Sequence, residues 1–189
     1  MIRIAVLVSG RGSNLQAIID AIAEGRLQAK IAVVVSNRPA APALERAKKA
    51  GIPTMVVEAR GGEARDTFDT RVVEAIREHR AEWVVLAGFM RIIGNVLLSA
   101  FPMRIINVHP SLLPAFPGLN AQAQALRHGV KVSGCTVHYV DGGTDTGPIL
   151  AQAAVPVLEG DDEQSLSNRI LVEEHRLLPA VLQKLSNER

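Results

Sequence analysis

The apolar residues of this sequence fall into short continuous runs, separated by stretches in which they recur every three or four positions. The runs are rich in Val and Ile and do not alternate with polar residues, which is typical of strands buried on both faces of a parallel sheet. The pattern predicts an α/β protein with three layers, in which helices flank a mostly parallel, twisted, Rossmann-like sheet. The predicted strands cover residues 2–8, 31–35, 54–57, 83–86 and 105–108.

Helical periodicity separates these runs. The first helix contains Leu15, Ile18 and Ile22 on one face, and Gly25 lies just beyond its end. Further helices are expected at about residues 41–51, around residues 68–76 and at about residues 162–185. After residue 108 we also expect an ordered Pro-rich loop and two more strands, at residues 135–140 and 149–157, which are joined by a Gly-rich connection.

The length and the charge of the sequence limit the classes of protein to which it can belong. The 189 residues are enough for one ordinary domain, so we expect residues 1–189 to form a single domain. The 21 basic and 19 acidic residues are scattered along the chain and give a net charge of +2, so neither a nucleic-acid nor a membrane partner is expected. A single cysteine and the lack of a signal-peptide pattern predict a cytoplasmic protein without a metal site.

A glycine-containing loop follows the first strand. Its sequence, Ser-Gly-Arg-Gly-Ser-Asn-Leu at residues 9–15, leads into a helix whose free N–H groups could hold a phosphate. It lacks the Gly-Lys-Ser/Thr of a Walker A loop, and Leu15 replaces the third glycine of a dinucleotide fingerprint. A glycine turn with a serine N-cap explains the segment equally well, so both interpretations stay open.

Asn107 and His109 are two positions apart on the predicted fifth strand, so both side chains face the same side of the sheet. An amide donor beside an imidazole suits a reaction that develops an oxyanion and moves a proton near neutral pH. Asp145, in the Gly-rich connection, is expected at the same carboxyl edge of the sheet, where it would orient His109. A structural histidine and an aspartate in an Asx-turn are the alternatives.

The other histidines are weaker candidates. His79 and His128 are expected near helix ends, and His138 alternates on a strand. His175 is of more interest because two acidic residues, Glu173 and Glu174, precede it.

Two motifs carry a resemblance to a known family. The run Ile-Asn-Val-His-Pro-Ser-Leu-Leu-Pro at residues 106–114, with Asp-Thr-Gly-Pro at residues 145–148, resembles the signature of the formyltetrahydrofolate-dependent formyltransferases. Residues 9–15 and Ala-Gly-Phe-Met-Arg-Ile at residues 87–92 resemble the members that act on glycinamide ribonucleotide in purine synthesis. The likeness covers nearly the whole chain and implies the formyltransferase fold.

The resemblance also implies roles for individual residues. The ribonucleotide would be bound by Gly12, Ser13, Asn14, Glu173 and Glu174, with Glu174 nearer the amine. The formyl donor, 10-formyltetrahydrofolate, would be bound by Arg65, Met90, Arg91, Ile92, Ile93, Asn107, Asp141, Gly142, Gly143, Thr144 and Asp145. Asn107, His109 and Asp145 would form the catalytic trio, with no metal, in a monomer or homodimer.

Two departures from the family pattern are visible. Members often carry histidine where Asn120 follows Leu119, so a second imidazole near the formyl group is not expected here. Many relatives continue beyond the position of Arg189, so an edge element of the sheet would be missing.

Three rival functions remain. Methionyl-tRNA formyltransferase would need an additional basic domain to hold RNA phosphates, and formyltetrahydrofolate hydrolase usually carries a regulatory domain. A non-catalytic nucleotide-binding module would explain the glycine loop but not Asn107, His109 and Asp145.

Overall fold

Strands and helices alternate along the chain in a computed structural model that describes residues 1–188. In chain order the elements are β1 (Ile2–Val8), α1 (Ser13–Ala23), β2 (Ala29–Ser36), α2 (Pro42–Lys49), β3 (Thr54–Val56), α3 (Arg65–Glu78), β4 (Trp83–Leu86), α4 (Asn95–Ala100), β5 (Ile105–His109), α5 (Ala121–His128), β6 (Val132–Tyr139), β7 (Ile149–Pro156) and α6 (Glu163–Asn187). The seven strands form one sheet in the order β3-β2-β1-β4-β5-β6-β7.

The centre of the sheet is buried on both faces. Successive residues of β1 point to opposite sides, and both sides are apolar. Ile4 and Val6 pack into a layer with α1, α2 and α6, whereas Ala5 and Leu7 pack into a layer with α3 and α4. These two layers explain why the strand sequences are continuously apolar, and they confirm the predicted three-layer α/β fold.

The margins of the sheet show why it is mostly, and not wholly, parallel, as predicted. Strands β1 to β5 are parallel, but β6 is antiparallel to β5 and β7 is antiparallel to β6. Strand β3 lies at the edge of the sheet and has a neighbouring strand on one side only. Val56 of this strand is therefore 42% exposed. Two short helices, α4 and α5, add to those that the apolar periodicity predicted.

Helix α6 packs against α1, β6 and β7 and so covers one face of the sheet. It begins with a capping box: Asp162 Oδ1 accepts the Ser165 N–H at 2.7 Å, and Ser165 Oγ accepts the Asp162 N–H at 3.0 Å. Leu166, Ile170 and Leu178 form its buried stripe. Although α6 has 25 residues, no helix within residues 1–188 is both long and apolar enough to cross a membrane.

Candidate active site

Strand β5 presents Asn107 and His109 on one face of the sheet. Ile106 and Val108 pack into the layer that contains α6, so the residues that alternate with them face the other side. His109 is 5% exposed and Asn107 is half-buried. The two side chains therefore share one space where the parallel part of the sheet ends, as predicted.

A second histidine joins them from β6. The antiparallel register pairs His138 with Asn107, and Asn107 Nδ2 lies 3.3 Å from His138 Nε2. His138 Nδ1 lies 2.8 Å from the carbonyl oxygen of Tyr139, to which it donates, so in a neutral ring Nε2 is free to accept from the amide. From the sequence, His138 is only a residue that alternates on a predicted strand. The sequence does not specify the direction of β6, so it does not predict that His138 lies beside Asn107.

Asp145 contacts both histidines. Its Oδ2 lies 3.3 Å from His109 Nδ1, and its Oδ1 lies 3.7 Å from His138 Nε2. Oδ2 also accepts the N–H of Gly118 at 2.8 Å. Burial acts to raise the pKa of Asp145, but the His138 contact, the Gly118 N–H and His109 outweigh it and hold the pKa below its usual value. The carboxylate is therefore ionised and faces His109.

Both ring nitrogens of His109 face acceptors. Nδ1 faces the Asp145 carboxylate, and Nε2 lies 2.9 Å from the carbonyl oxygen of Phe116. Neither oxygen can donate, so a ring nitrogen that bonds to either of them must carry an N–H. The two contacts orient the ring.

The loop that supplies the Phe116 carbonyl is fixed by β6. Thr136, which lies opposite His109 in the register, is fully buried. Its hydroxyl donates to the Ser111 carbonyl at 2.7 Å and accepts the Leu113 N–H at 3.0 Å. The sequence predicts an ordered loop at this place, but the threonine that orders it was not among the predicted site residues.

The connection that carries Asp145 takes a different route from the predicted one. Since β6 is antiparallel, it ends beside the amino end of β5, where the Val140 N–H donates to the Ile105 carbonyl at 2.9 Å. The chain then folds back so that Asp145 reaches His109. Asp145 and His109 are close, as expected, but the connection does not start at the carboxyl edge of the parallel strands.

The remaining residues of this connection, 141–144, are exposed. Asp141 Oδ1 accepts from the Thr146 hydroxyl at 2.7 Å and from the Gly143 N–H at 3.0 Å. The Thr146 bond is the main reason why the pKa of Asp141 lies below its usual value. The loop is thus ordered by its own contacts while its outer surface is accessible.

The glycine loop packs tightly against α2. Gly12 has a left-handed φ of 73°, and a Cβ there would lie 2.6 Å from the Cβ of Ala43. The Ala43 N–H donates to the Gly10 carbonyl at 3.1 Å, and Arg46 Nε donates to the Arg11 carbonyl at 2.8 Å. The N-cap of α1 is Gly12, which has no capping side chain, so the explanation by a serine N-cap is wrong. The first N–H groups of α1 have no acceptor within the helix, which is the property that would suit an anion.

Glu174 connects α6 to this loop. It is 5% exposed, and its Oε2 accepts from Asn14 Nδ2 at 2.7 Å. Burial raises the pKa of Glu174 to about 7, against the smaller lowering effect of the Asn14 bond. Glu173 does not share this contact and pairs with Arg176 at 3.0 Å. The structure therefore brings together Asn14 and Glu174 but directs Glu173 elsewhere.

The residues predicted to bind folate lie in two places, and the first is the segment after β4. Met90 and Ile92 are 59% and 70% exposed, whereas Ile93 is buried. The Met90 N–H donates to Ser9 Oγ at 2.8 Å, which ties this segment to the glycine loop. Arg65, at the start of α3, is exposed and lies against Gly94.

Two surface clefts lie beside α1. The first cleft has a volume of about 640 Å³ and includes Ser13 in its lining. Its other lining residues include the charged side chains of Asp20, Arg46 and Arg176. The other, of about 1170 Å³, lies at the amino edge of β1 and β2. Neither lining includes Asn107, His109 or Asp145, whereas the smaller cleft adjoins the candidate anion site.

The fold and this site define the class of protein. The sequence matches the family described as formyl transferase over residues 2–182, and the chain belongs to the formyl transferase family.

Individual relatives are more specific. Phosphoribosylglycinamide formyltransferase of Bacillus subtilis is 45% identical over 185 residues, which are 98% of this chain and 95% of the relative. The trifunctional purine biosynthetic protein adenosine-3 of Drosophila pseudoobscura is 50% identical over 98% of this chain, which spans 14% of that protein's length. The crystal structure of glycinamide ribonucleotide transformylase 1 from Symbiobacterium toebii has a TM-score of 0.98 and 52% identity, covering 100% of this chain and 89% of that one. The resemblance predicted from the motifs is confirmed.

Proposed function

We propose that this protein transfers the formyl group of 10-formyltetrahydrofolate to the primary amine of glycinamide ribonucleotide. The observation that carries this proposal is the convergence of Asn107, His109 and Asp145 at the end of β5. The identity to phosphoribosylglycinamide formyltransferase of Bacillus subtilis, along nearly the full length of both chains, supports the same acceptor.

The two substrates would approach from opposite sides of this trio. The N–H groups of Gly12, Ser13 and Asn14 would hold the ribonucleotide phosphate, with Glu174 beside the glycinamide amine. Folate would lie against Arg65, residues 90–93 and residues 141–145. The hydrogen bond between Ser9 and Met90 links the glycine loop to the segment proposed to bind folate, which supports this arrangement.

The reaction follows from the chemistry of these groups. The neutral amine attacks the formyl carbon, a C–N bond forms, and the formyl oxygen becomes an oxyanion. The Asn107 amide donates to that oxygen, and the Nε2–H of His109 would do so by exchanging the Phe116 carbonyl for the substrate, while Asp145 stabilises the charged imidazole. When the bond from carbon to N10 breaks, the proton lost by the amine passes through His109 to N10, so that tetrahydrofolate leaves neutral at that atom.

The proposal also includes the domain organisation, the cellular compartment and the oligomeric state of the enzyme. We infer one formyltransferase domain over residues 1–189, which acts in the cytoplasm as a monomer or homodimer on small-molecule substrates and without a metal. The scattered charge of the sequence supports small substrates over RNA.

The test is to incubate the purified protein with 10-formyltetrahydrofolate, with and without glycinamide ribonucleotide, and to follow the folate by absorbance and the ribonucleotide by mass spectrometry. We expect formylglycinamide ribonucleotide and tetrahydrofolate only when both substrates are present. Deformylation without the ribonucleotide would indicate a hydrolase, and no reaction would indicate a binding module. A His109→Ala protein serves as the control for contaminating enzyme.

A further inference from the structure

Asp69 is a buried carboxylate that the proposed mechanism does not use. It lies in the second turn of α3 and is fully buried, although a buried charge is costly unless it is well bonded. Burial raises its pKa, against the backbone N–H groups of Gly94 and Leu97. Its Oδ1 has no hydrogen-bond partner within residues 1–188. Packing alone would favour an apolar residue here, so the carboxylate needs another explanation.

The bond that Asp69 makes is directed at the segment proposed to bind folate. Its Oδ2 accepts the Gly94 N–H at 2.6 Å. Gly94 directly follows residues 90–93 and is the N-cap of α4. This short bond to a carboxyl oxygen ties the end of the segment to α3.

Two further contacts hold the same segment against α3. A Cβ on Gly94 would lie 2.8 Å from Asp69 Oδ2 and 2.9 Å from Arg65 Cδ, so the backbone here lies directly on the helix. The guanidinium of Arg91 lies 4.2 Å from the ring centroid of Phe68. Residues 65, 68 and 69 of α3 thus support the segment from behind, while Met90 and Ile92 project outward.

We propose that Asp69 is a positioning residue for the formyl donor, acting through the backbone of residues 91–94. This inference rests on the proposed function, since it assigns the segment to folate. Backbone groups that read the edge of a flat ring must be held within a fraction of an ångström, and the bond from Asp69 to Gly94 provides that restraint.

A residue that only stabilised α4 would change the KM values of both substrates, because it would act on the folded structure as a whole. A positioning residue acts on one substrate, so the two roles separate in the kinetics. We compare Asp69→Ala, which removes the acceptor, with Asp69→Asn, which keeps an acceptor oxygen at the same place. Asp66→Ala is the matched control, because Asp66 lies on the same helix and is exposed.

Each protein is assayed for both KM values and kcat, and its Kd for tetrahydrofolate is measured by calorimetry under reducing conditions. For Asp69→Ala we expect the donor KM and the tetrahydrofolate Kd to rise roughly tenfold or more, with the ribonucleotide KM within about twofold of the original. Asp69→Asn should recover most of the loss, and Asp66→Ala should match the unchanged protein. An unchanged donor KM, or an equal rise in both KM values, would overturn the proposal.

Gly94→Ala provides a second test if Asp69→Ala does not fold, and it is made in an Arg65→Ala background so that displacement of Arg65 does not contribute. Its φ of −107° suits any residue, so the added methyl acts by displacing Asp69. The same selective rise in donor KM over Arg65→Ala alone is expected, and its absence would refute the inference. If the unchanged protein does not bind tetrahydrofolate, the proposed function itself fails; if it binds and the variants bind equally well, only the role of Asp69 fails.

Discussion

Nδ1 of His109 lies 3.3 Å from Oδ2 of Asp145, while the opposite nitrogen of the ring faces a backbone carbonyl. This places the imidazole between two hydrogen-bond acceptors, which orient the ring. A group that accepts a proton from the attacking amine and then passes it on benefits from such surroundings.

Replacement of His109 by alanine should lower kcat by roughly 10²- to 10⁴-fold, because both the proton relay and one oxyanion donor are lost. The KM values should change little, since the proposed substrate contacts lie elsewhere. Steady-state kinetics with both substrates measures this. His79→Ala is the matched control, because its ring bonds only to the Ala75 carbonyl of its own helix. A His109→Ala enzyme that retains full turnover would remove His109 from the mechanism.

Glu174 should make the stability of the protein dependent on pH. Its pKa is raised by burial from 4.5 to about 7, so between these values the folded protein holds a proton that the unfolded chain releases. The free energy of unfolding therefore falls as pH rises through this window, by roughly 3 kcal/mol for this group.

Glu174→Gln should remove this contribution while keeping an acceptor for Asn14. Its Tm should match that of the unchanged protein near pH 4.5 and exceed it by several degrees at pH 8. Calorimetric melts across this range measure the difference, with Glu173→Gln as the control at a half-buried neighbour. A Tm difference independent of pH would contradict the assigned burial effect.

Gly12→Ala should weaken ribonucleotide binding selectively. The new Cβ would lie 2.6 Å from that of Ala43, so the loop must shift, and we expect the ribonucleotide KM to rise roughly tenfold or more. Gly25→Ala is a close control, because Gly25 has φ of 72° and nothing within 4 Å of its Cβ position. It incurs only the left-handed backbone strain, about 1 kcal/mol, without a change in KM.

A second variant checks the steric explanation. Ala43→Gly, added to Gly12→Ala, removes the opposing methyl and should restore part of the affinity. Additive effects of the two substitutions would show that the loss arises from backbone strain instead.

Cys135 should be unreactive while the protein is folded. It is fully buried, and burial, together with the charges of Glu174 and Glu173, raises its pKa to about 12, so the thiolate is scarce at pH 8. Labelling with a thiol reagent should give no modification of the native protein and one modified residue per chain in denaturant, measured by mass spectrometry. Rapid labelling under native conditions would show that this part of the sheet opens.

The sequence predicts the parallel part of the fold well because burial on both faces leaves no room for polar residues. Ala5 and Val6 of β1 point into different layers, yet both layers are apolar, so the continuous run is the direct result of the fold. At the sheet edge this constraint is absent, and the apolar run that ends near Val56 gives no sign of its exposure.

Strand direction is the main property that the sequence does not reveal. The same alternation of Thr136 and His138 fits a parallel or an antiparallel strand, and only the antiparallel register places His138 beside Asn107. The proximity of Asp145 to His109 could be expected, but the route of the connecting loop could not, for the same reason. Backbone partners such as the Phe116 carbonyl carry no sequence signal at all.

The order of the elements along the chain has a consequence for synthesis on the ribosome. Strands β1, β4, β5 and β6 all precede α6 in the chain, so both histidines of the candidate site are synthesised before this helix. Asn14 and Glu174, however, are 160 positions apart, and the acidic partner arrives with the last helix. A chain cleaved before residue 163 would keep Asn14 but lose its buried partner Glu174. Docking of α6 therefore completes the buried contact between Asn14 and Glu174.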